Sequence, residues 1–224
     1  MKPLIIGKFY SQDGQDLYLS ALLFDLFNKL DGQYVIDIGC NDPERFSNSY
    51  FFEKFFGCKT IAIDPIEEYG DKWKKLRPQA NFIAAALGKA YGVVTLNIPI
   101  QSAIYDDMFS TLAEINPKAG NVQYMQRQVN CVTLESILVA HQILNIALVS
   151  IDVEGAELGV LEGINFEHVS IKCFIIENNT KNLFGSDDIR VFLKSKGYVF
   201  YSRIGYLDDV FLHKSMINKN GKLI

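Results

Sequence analysis

The stretch Tyr34-Val-Ile-Asp-Ile-Gly-Cys-Asn-Asp-Pro43 decides the fold. Its first five residues are short and apolar, which predicts a buried strand, and the residues from Gly39 onward predict a turn. A helix is expected from Ser47 to Phe56, because Ser47 can act as its N-cap and Gly57 can end it. The unit is therefore a strand that leads through a turn into a helix.

The same unit recurs along the chain. Lys59–Ile63 predicts a second strand that ends at Asp64-Pro65, Glu67–Leu76 predicts a polar helix, and Phe82–Ala86 predicts a third strand. A β-α-β-α-β order implies parallel strands with helices on both faces of one sheet, and strands buried on both sides are continuous apolar runs, as these are. We therefore expect an α/β fold, a Rossmann-like doubly wound sheet that is mostly parallel.

The pattern resumes in the second half of the chain. Two strands and two helices are predicted at Ile146–Ile151, Glu154–Leu161, Ile171–Ile176 and, capped by Ser186, Asp187–Lys196. Tyr198–Arg203 and Asp209–His213 follow, joined by a short Gly-containing turn, and they predict a terminal antiparallel hairpin. Such a hairpin is unlike a plain dinucleotide-binding fold and is typical of Rossmann-like methyltransferases.

We expect a single domain over residues 1–224, with two additions to the sheet. Residues 1–32 form an N-terminal helical segment, with a helix from Gln15 to Leu30. Residues 92–132 form an insertion of two strands, Gly92–Ile98 and Val122–Val132, around a polar loop, and Thr133 then caps a helix. We expect this insertion to lie on the substrate side, because binding loops vary while a scaffold holds them.

The composition excludes several classes of protein. The chain has 49% hydrophobic and 21% charged residues and a formal net charge of -4, the balance of a soluble globular protein. Its most basic stretch, Lys72–Arg77, is predicted to be a solvated helix face, so we expect no nucleic acid partner. No apolar run approaches the ~20 residues that span a bilayer. Four widely spaced cysteines are predicted to be reduced and buried, which suggests a cytoplasmic protein.

Acidic and small residues are concentrated where the predicted strands end, which is where open α/β sheets bind their ligands. They are Asp37, Gly39, Cys40, Asn41 and Asp42 at the first strand, Asp64 at the second, Ala85 and Ala86 at the third, Asp152 and Glu154 at the fourth, and Glu177 and Asn178 at the fifth. Asp64 can accept hydrogen bonds from both hydroxyls of a ribose. Gly39 lets the backbone approach a ligand closely.

The ligand is predicted to be a nucleoside that carries no phosphate. A dinucleotide site requires the pattern G-x-G-x-x-G, and Asn41 and Glu44 stand where its second and third glycines would be. A positively charged sulfonium instead tolerates acids at the strand ends. Structural roles are the alternative: Asp37 as a cap for the next helix, Asp64 as a turn residue, and Asp152 with its neighbours as charges at a helix N-terminus.

At this point the sequence resembles the FkbM-type methyltransferases. Val35–Pro43 is similar to the first motif of that family, Ser47-Asn-Ser49 to the segment that follows, and Tyr10–Asp16 to its S-Q-x-G-E-D segment, with Gln15 in place of the acid. Leu148-Val-Ser-Ile-Asp-Val-Glu-Gly-Ala-Glu157 is similar to its most specific motif. The resemblance covers about Tyr10 to His213, with Cys40 in place of the more usual alanine.

The resemblance implies methyl transfer from S-adenosyl-L-methionine to a hydroxyl oxygen of a sugar or a natural product. The residues then expected to bind the cofactor are Asp37, Gly39, Cys40, Asn41, Ser47, Asp64, Pro65 and Ala85. The residues expected to be catalytic are Asp152, Glu154 and Glu177. A saccharide acceptor, and fusion to or association with enzymes of glycan synthesis, are also expectations from the family.

Two mechanisms remain open, since a sugar hydroxyl needs a base or a metal ion. Asp152 or Glu154 could take the proton. Alternatively Asp152, Glu177 and Asn178 could bind a divalent cation such as Mg²⁺ or Mn²⁺, an arrangement that resembles the catechol-type methyltransferases. A binding module that has the fold without turnover, and an NAD-dependent oxidoreductase, are the other functional readings.

Overall fold

The computed structural model describes residues 8–26, 32–100, 110–112, 123–178 and 187–218. The strands are β1 (Tyr34–Ile38), β2 (Lys59–Asp64), β3 (Asn81–Ala84), β4 (Ala86–Leu87), β5 (Gly92–Pro99), β6 (Tyr124–Val132), β7 (Asn145–Ile151), β8 (Ser170–Glu177), β9 (Tyr198–Ile204) and β10 (Asp208–His213). The helices are α1 (Gln15–Leu26), α2 (Tyr50–Phe56), α3 (Tyr69–Leu76), α4 (Leu134–Ala140), α5 (Glu157–Glu162) and α6 (Asp187–Ser195).

The main sheet has seven strands in the order β3-β2-β1-β7-β8-β10-β9. The pairs among β3, β2, β1, β7 and β8 are parallel, and β10 is antiparallel to both β8 and β9. This confirms the α/β fold class and the terminal hairpin. The strand order reverses between β1 and β7, so the carboxyl ends of these two strands are where a ligand crevice is expected.

Burial of apolar side chains on both faces of the sheet explains why its central strands contain so few polar residues. Val35 and Ile36 are adjacent in β1 and point to opposite faces. Val35 packs with Leu148 and with Leu23 of α1, whereas Ile36 belongs to the larger cluster on the other face. Both side chains are fully buried. The helices therefore cover the sheet from two sides, as the sequence predicts.

The segment 92–132 forms most of a second sheet, with the order β4-β6-β5. Leu96 and Ile98 of β5 pack on Ile66, which attaches this sheet beside the end of β2. Thr133 caps α4 as predicted, since its side chain accepts a hydrogen bond from the Ser136 backbone N–H. Most of the polar loop between β5 and β6 lies outside the described residues. Its substrate-side role stays a prediction.

Three predicted boundaries are wrong, each for a local reason. The third strand breaks at Ala85, because Ala86–Leu87 pairs with β6 of the second sheet instead of with β2. Helix α5 begins at Glu157 and not at Glu154, which has a positive φ of 54°. Helix α2 begins at Tyr50, although Ser47 Oγ does accept a hydrogen bond from the Tyr50 N–H. Ser186 and the predicted end of the first helix lie outside the described residues.

The prediction of a solvated face for Lys72–Arg77 is also wrong in part. The lysines of this stretch are exposed, but Trp73 and Arg77 are each only 1% exposed.

The four cysteines are free and buried, as expected. Within the described part of the chain, no helix is both long and apolar enough to cross a membrane.

Candidate functional site

Two adjoining clefts open at the carboxyl ends of the central strands. The first, here the apolar cleft, is lined among others by Asp64, Pro65, Ala85, Leu87, Leu96 and Leu112. The second, here the acidic cleft, has a volume of about 420 Å³ and is lined among others by Asp13, Gln15, Arg45, Asn48, Glu177 and Asp208. Gly39, Asn41, Asp152 and Glu154 line both clefts and so mark their junction.

Gly39 has a structural requirement that the sequence does not reveal. Its φ is +77°, and a Cβ at this position would lie 1.7 Å from the backbone carbonyl oxygen of Asp152. The close approach that excludes a side chain is therefore between the ends of β1 and β7. The close contact at Gly39 is thus with the protein itself, and the approach of its backbone to a ligand stays a prediction.

Asp64 is buried at the end of β2, with 6% of its surface exposed. Its Oδ1 accepts a hydrogen bond from the Ile66 N–H at 2.9 Å, and its Oδ2 accepts one from the Asn41 N–H at 3.1 Å. The turn role considered as an alternative is thus present. Each carboxylate oxygen can accept more than one hydrogen bond, so these contacts leave acceptor capacity for a ribose hydroxyl.

Asn41 is fixed by three of its polar groups and has a positive φ of 37°. Besides the backbone contact to Asp64, its side-chain amide donates to the Tyr69 hydroxyl at 2.9 Å. Its carbonyl oxygen accepts a hydrogen bond from Trp73 Nε1 at 2.9 Å. The turn after β1 is thereby tied to α3 through the buried Trp73.

Asp37 and Ser47 belong to a buried polar network beneath the clefts. Asp37 Oδ2 accepts a hydrogen bond from Ser49 Oγ at 2.6 Å and a longer one from Ser47 Oγ. The Arg77 guanidinium donates to both serine hydroxyls and forms an ion pair with Glu53 at 2.8 Å. Burial raises the pKa of Asp37, and the serine hydroxyls and the Arg77 charge oppose that shift.

Neither Asp37 nor Ser47 lines either cleft. The geometry therefore gives no support to cofactor contacts for these two residues, and it gives them a structural role instead. Arg77, which neutralises this network, was missed by the sequence interpretation. In the sequence, Arg77 closely follows two lysines and directly precedes Pro78. This pattern does not predict burial, because charge runs at helix ends are normally solvated.

The remaining cofactor candidates lie at the clefts. Pro65 and Ala85 line the apolar cleft, and Cys40 lines the acidic one. The Cys40 side chain packs with Ala62 and Trp73. Burial, together with the Asp64 and Asp37 carboxylates, raises the thiol pKa well above its ordinary value. Cys40 therefore packs as a thiol, the protonated form that the raised pKa favours.

Asp152, Glu154 and Glu177 come together at the junction of the clefts, with one carboxylate oxygen from each within 4.8 Å of the others. Burial and the adjacent Asp152 raise the pKa of Glu154 to about 7. Burial and the Glu154 charge raise the pKa of Glu177 to about 7. Asp152 is enclosed by protein yet reached by solvent through the cleft, and burial and Glu177 raise its pKa well above the ordinary value.

A tight loop presents Glu154 to the clefts. Glu157 Oε1 accepts hydrogen bonds from the N–H groups of Val153 and Gly155, at 3.2 and 2.9 Å. Thr111 Oγ1 donates to the Glu154 carbonyl at 2.6 Å. These contacts hold Glu154 in its positive-φ conformation. Glu157 therefore has the role of a favourable charge at a helix N-terminus, which the sequence offers as an alternative for Asp152 and its neighbours.

Residues 37–200 match the family model of the methyltransferase FkbM domain, which is more than half of the chain. The chain belongs to the FkbM methyltransferase family. This FkbM protein is therefore an S-adenosylmethionine-dependent methyltransferase, as the sequence motifs indicate. The match begins at Asp37 in β1 and ends in β9, so it includes the apolar cleft and the acidic residues at the junction, whereas Asp13, Gln15 and Asp208 of the acidic cleft lie outside it.

Two solved structures resemble this FkbM methyltransferase. One is described as a ribosomal RNA methyltransferase from Plasmodium falciparum, with 15% identity, a TM-score of 0.39, and coverage of 92% of this chain and 97% of that one. The other is precorrin-6y C5,15-methyltransferase from Geobacter metallireducens, with 11% identity, a TM-score of 0.44, and 87% of both chains covered. A comparison with curated proteins gave no significant match.

Asn178 lies directly after β8, and its side chain is hydrogen-bonded to another residue of the protein. Its amide nitrogen donates to Asp209 Oδ2 at 2.8 Å, and Asp209 also pairs with Arg190 and Arg203. Its assignment as a metal ligand stays a prediction.

The histidines line neither cleft: His168 pairs with Glu135, and His213 accepts a hydrogen bond from the Ser215 backbone N–H.

Gln15 and Asp208 are among the lining residues of this FkbM methyltransferase that the sequence analysis does not predict. Gln15, at the start of α1, is 6% exposed, and its Nε2 donates to Asp208 Oδ2 at 2.8 Å. Burial raises the pKa of Asp208 to about 6, and the Gln15 amide opposes that shift. The Tyr10–Asp16 motif, which contains Gln15, is the sequence signal for this part of the site.

Proposed function

We propose that this FkbM methyltransferase transfers the methyl group of S-adenosylmethionine to a hydroxyl oxygen, that of a sugar or glycan in particular. The observation that supports this most is the position of Asp152, Glu154 and Glu177 at the junction of an apolar and an acidic cleft. A methyl donor in the first cleft and an alcohol in the second would meet beside these carboxylates.

The apolar cleft suits the adenosine of the cofactor. Ala85, Leu87 and Leu96 offer apolar walls for an adenine ring, and Asp64 has acceptor capacity for the ribose. The cofactor contains a sulfonium and no phosphate, which agrees with acids at Asp152 and Glu154 next to this cleft. Gly39, Asn41, Pro65 and Ala85 are the lining residues proposed to bind it, with Cys40 contributing from the side of the acidic cleft.

Glu154 is the proposed general base. It lines both clefts, and a pKa of about 7 leaves it partly ionised at neutral pH, which suits a base at that pH. The acceptor oxygen attacks the methyl carbon, the carbon–sulfur bond breaks, the hydroxyl proton passes to Glu154, and S-adenosylhomocysteine leaves. Alignment of oxygen, methyl carbon and sulfur by the two clefts supplies the proximity effect.

A divalent cation is the second candidate, favoured by the short distances among the three carboxylates. Asp152, Glu154 and Glu177 would hold Mg²⁺ or Mn²⁺ through oxygen ligands, with Asn178 as the further candidate. Such an ion would lower the pKa of the acceptor hydroxyl. In the mechanism without a metal ion, Asp152 and Glu177 orient the acceptor through their hydrogen-bonded pair.

The acceptor and the cellular setting are proposals from the family resemblance. A saccharide hydroxyl is the acceptor, the insertion 92–132 selects it, and enzymes of glycan synthesis in the cytoplasm are the associated proteins. The position of Ser110 and Leu112 in the lining of the apolar cleft supports a role for this insertion near the ligands.

Calorimetric titration with S-adenosylhomocysteine tests the proposed function. We expect binding that NAD does not displace, and a loss of about tenfold or more in affinity for Asp64→Asn, because one charge-assisted hydrogen bond to the ribose is lost. Asp71→Asn, which removes an exposed carboxylate from α3, is the matched control. Absence of S-adenosylhomocysteine binding to the wild-type protein would contradict the proposal.

A further inference from the structure

Residues 110–112 of the insertion make contacts in two directions. Ser110 and Leu112 line the apolar cleft, where the cofactor is proposed to bind. Thr111 stands between them, and its hydroxyl donates the hydrogen bond of 2.6 Å to the Glu154 backbone carbonyl. One short segment therefore reaches both the proposed cofactor site and the loop that carries the proposed base.

This segment is anchored to β5 through the backbone. The Asn97 N–H donates to the Thr111 carbonyl at 2.9 Å, and the Thr111 N–H donates to the Asn97 carbonyl at 3.0 Å. Two residues that exchange both hydrogen bonds form an antiparallel pair. Asn97 is 6% exposed, and its side-chain oxygen accepts a hydrogen bond from Gln126 at 3.2 Å. The Thr111 hydroxyl thus reaches Glu154 from a position fixed on the second sheet.

The conformation of Glu154 requires support of this kind. Its φ of 54° is sparsely populated by residues with a side chain, and such a conformation persists only where the surroundings hold it. Glu157 supports the loop from within, through the N–H groups of Val153 and Gly155. Thr111 supports it from 43 positions away, and the acceptor is the carbonyl of Glu154 itself. The Thr111 hydrogen bond therefore acts on the backbone from which the side chain of the base extends.

We propose, on the basis of the proposed function, that Thr111 is a positioning residue for the general base, through which cofactor bound in the apolar cleft holds Glu154 in place. A ligand in that cleft contacts Ser110 and Leu112 and restricts the motion of residues 110–112. The Thr111 hydroxyl transmits this restriction to the Glu154 carbonyl, since ordering at one site reduces the cost of order at the other. The base is then held most firmly when the methyl donor is present.

Hydrogen–deuterium exchange tests this coupling without an acceptor. Exchange of the backbone N–H groups of residues 153–156 is measured in the wild-type protein, alone and saturated with S-adenosylhomocysteine. We expect the ligand to slow this exchange by about threefold to tenfold, the value of one hydrogen bond. Thr111→Val, which has nearly the same shape without the hydroxyl, is expected to lose most of this protection. Thr111→Ser retains the hydroxyl and is expected to keep it.

Thr95→Val is the matched control. Thr95 lies in β5 of the same sheet, its hydroxyl accepts a hydrogen bond from Gln128 at 2.8 Å, and it lines neither cleft. We expect this variant to keep the protection by S-adenosylhomocysteine. If Thr111 only attached the insertion to the main sheet, Thr111→Val would speed exchange equally with and without the ligand, and the ratio of the two rates would not change.

A double-mutant cycle is the second measurement, with a sugar acceptor found by screening. Thr111→Val is expected to lower kcat by about threefold to tenfold with an unchanged KM for S-adenosylmethionine. In the Glu154→Gln background it should have no further effect, because Thr111 acts through Glu154.

Absence of protection in the ligand-saturated wild-type protein, equal protection in Thr111→Val, or the same loss of kcat in both backgrounds would overturn the inference. Calorimetry scores S-adenosylhomocysteine binding by the wild-type protein separately, and full activity of Glu154→Gln would contradict the proposed base. A failure of the proposed function is thereby distinguished from a failure of the coupling through Thr111.

Discussion

The backbone carbonyl oxygen of Asp152 lies where the side chain of residue 39 would begin, 1.7 Å from an ideal Cβ on Gly39. The contact joins the ends of β1 and β7, the two strands between which the strand order reverses. It also brings the Asp152 carboxylate to the junction of the two clefts. Gly39 thus determines how closely the end of β1 can approach the end of β7, where the Asp152 carboxylate lies.

Gly39→Ala is expected to destabilise the protein and to abolish S-adenosylhomocysteine binding, because the added methyl group must displace the end of β7. The positive φ alone costs about 1–3 kcal/mol for a residue other than glycine. Thermal unfolding and calorimetry measure the two effects. Gly159→Ala in α5 is the control, since a Cβ there meets no atom within 4 Å. A Gly39→Ala protein with wild-type stability would contradict the role given to this contact.

Arg77→Met is expected to lower the free energy of unfolding by about 3–5 kcal/mol, since it leaves the Glu53 and Asp37 carboxyls without their buried positive partner. Urea unfolding measures this change. Lys75→Met removes an exposed positive charge two residues earlier and is expected to have little effect. If both substitutions cost the same, the network beneath the clefts does not depend on Arg77.

Stability is expected to depend on pH through the crowded carboxyl groups. Glu177 has a folded-state pKa of about 7, above its ordinary value, so the folded state holds a proton that the unfolded state releases between about pH 4.5 and 7. The stabilisation is present below this window and is lost as the pH rises through it. Glu177→Gln should therefore gain thermal stability relative to the wild type as the pH rises from about 5 to 8.

The measurement is a series of thermal midpoints over that pH range, with Glu162→Gln as the control because Glu162 is exposed on α5. The difference between Glu177→Gln and wild type should grow with pH and then become constant. A difference that is independent of pH would show that the Glu177 carboxyl has an ordinary pKa in the folded protein.

Glu154→Gln is expected to reduce methyl transfer by a factor of about 10² to 10⁴, the usual contribution of a general base. The wild-type rate, measured with a sugar acceptor found by screening, should rise with pH and level off above about pH 7, because the base acts in its ionised form. Activity should persist in EDTA. A rate that EDTA abolishes and Mn²⁺ restores, with Mn²⁺ binding lost in Asp152→Asn, would instead establish the cation mechanism.

The sequence determined the elements and the family. Apolar runs such as Ile146–Ile151 predict buried strands because burial on both faces requires continuous apolar residues, and this requirement acts within one segment. Thr133 was identified as a helix cap for the same reason, since its partner is the nearby Ser136 N–H. The acids at the strand ends were also visible, because parallel strands place their carboxyl ends at one edge.

Only the tertiary structure decided which side chains meet. Gln15 and Asp208 are 193 positions apart, so their hydrogen bond depends on where α1 is placed against β10. The burial of Arg77 and the assignment of Asp37 to its network depend in the same way on the packing of α2 and α3 beneath β1 and β2. Local patterns specify what each segment buries, whereas the partner of a polar group is set by the path of the whole chain, and the part of the acidic cleft built by Gln15 and Asp208 was therefore beyond the sequence.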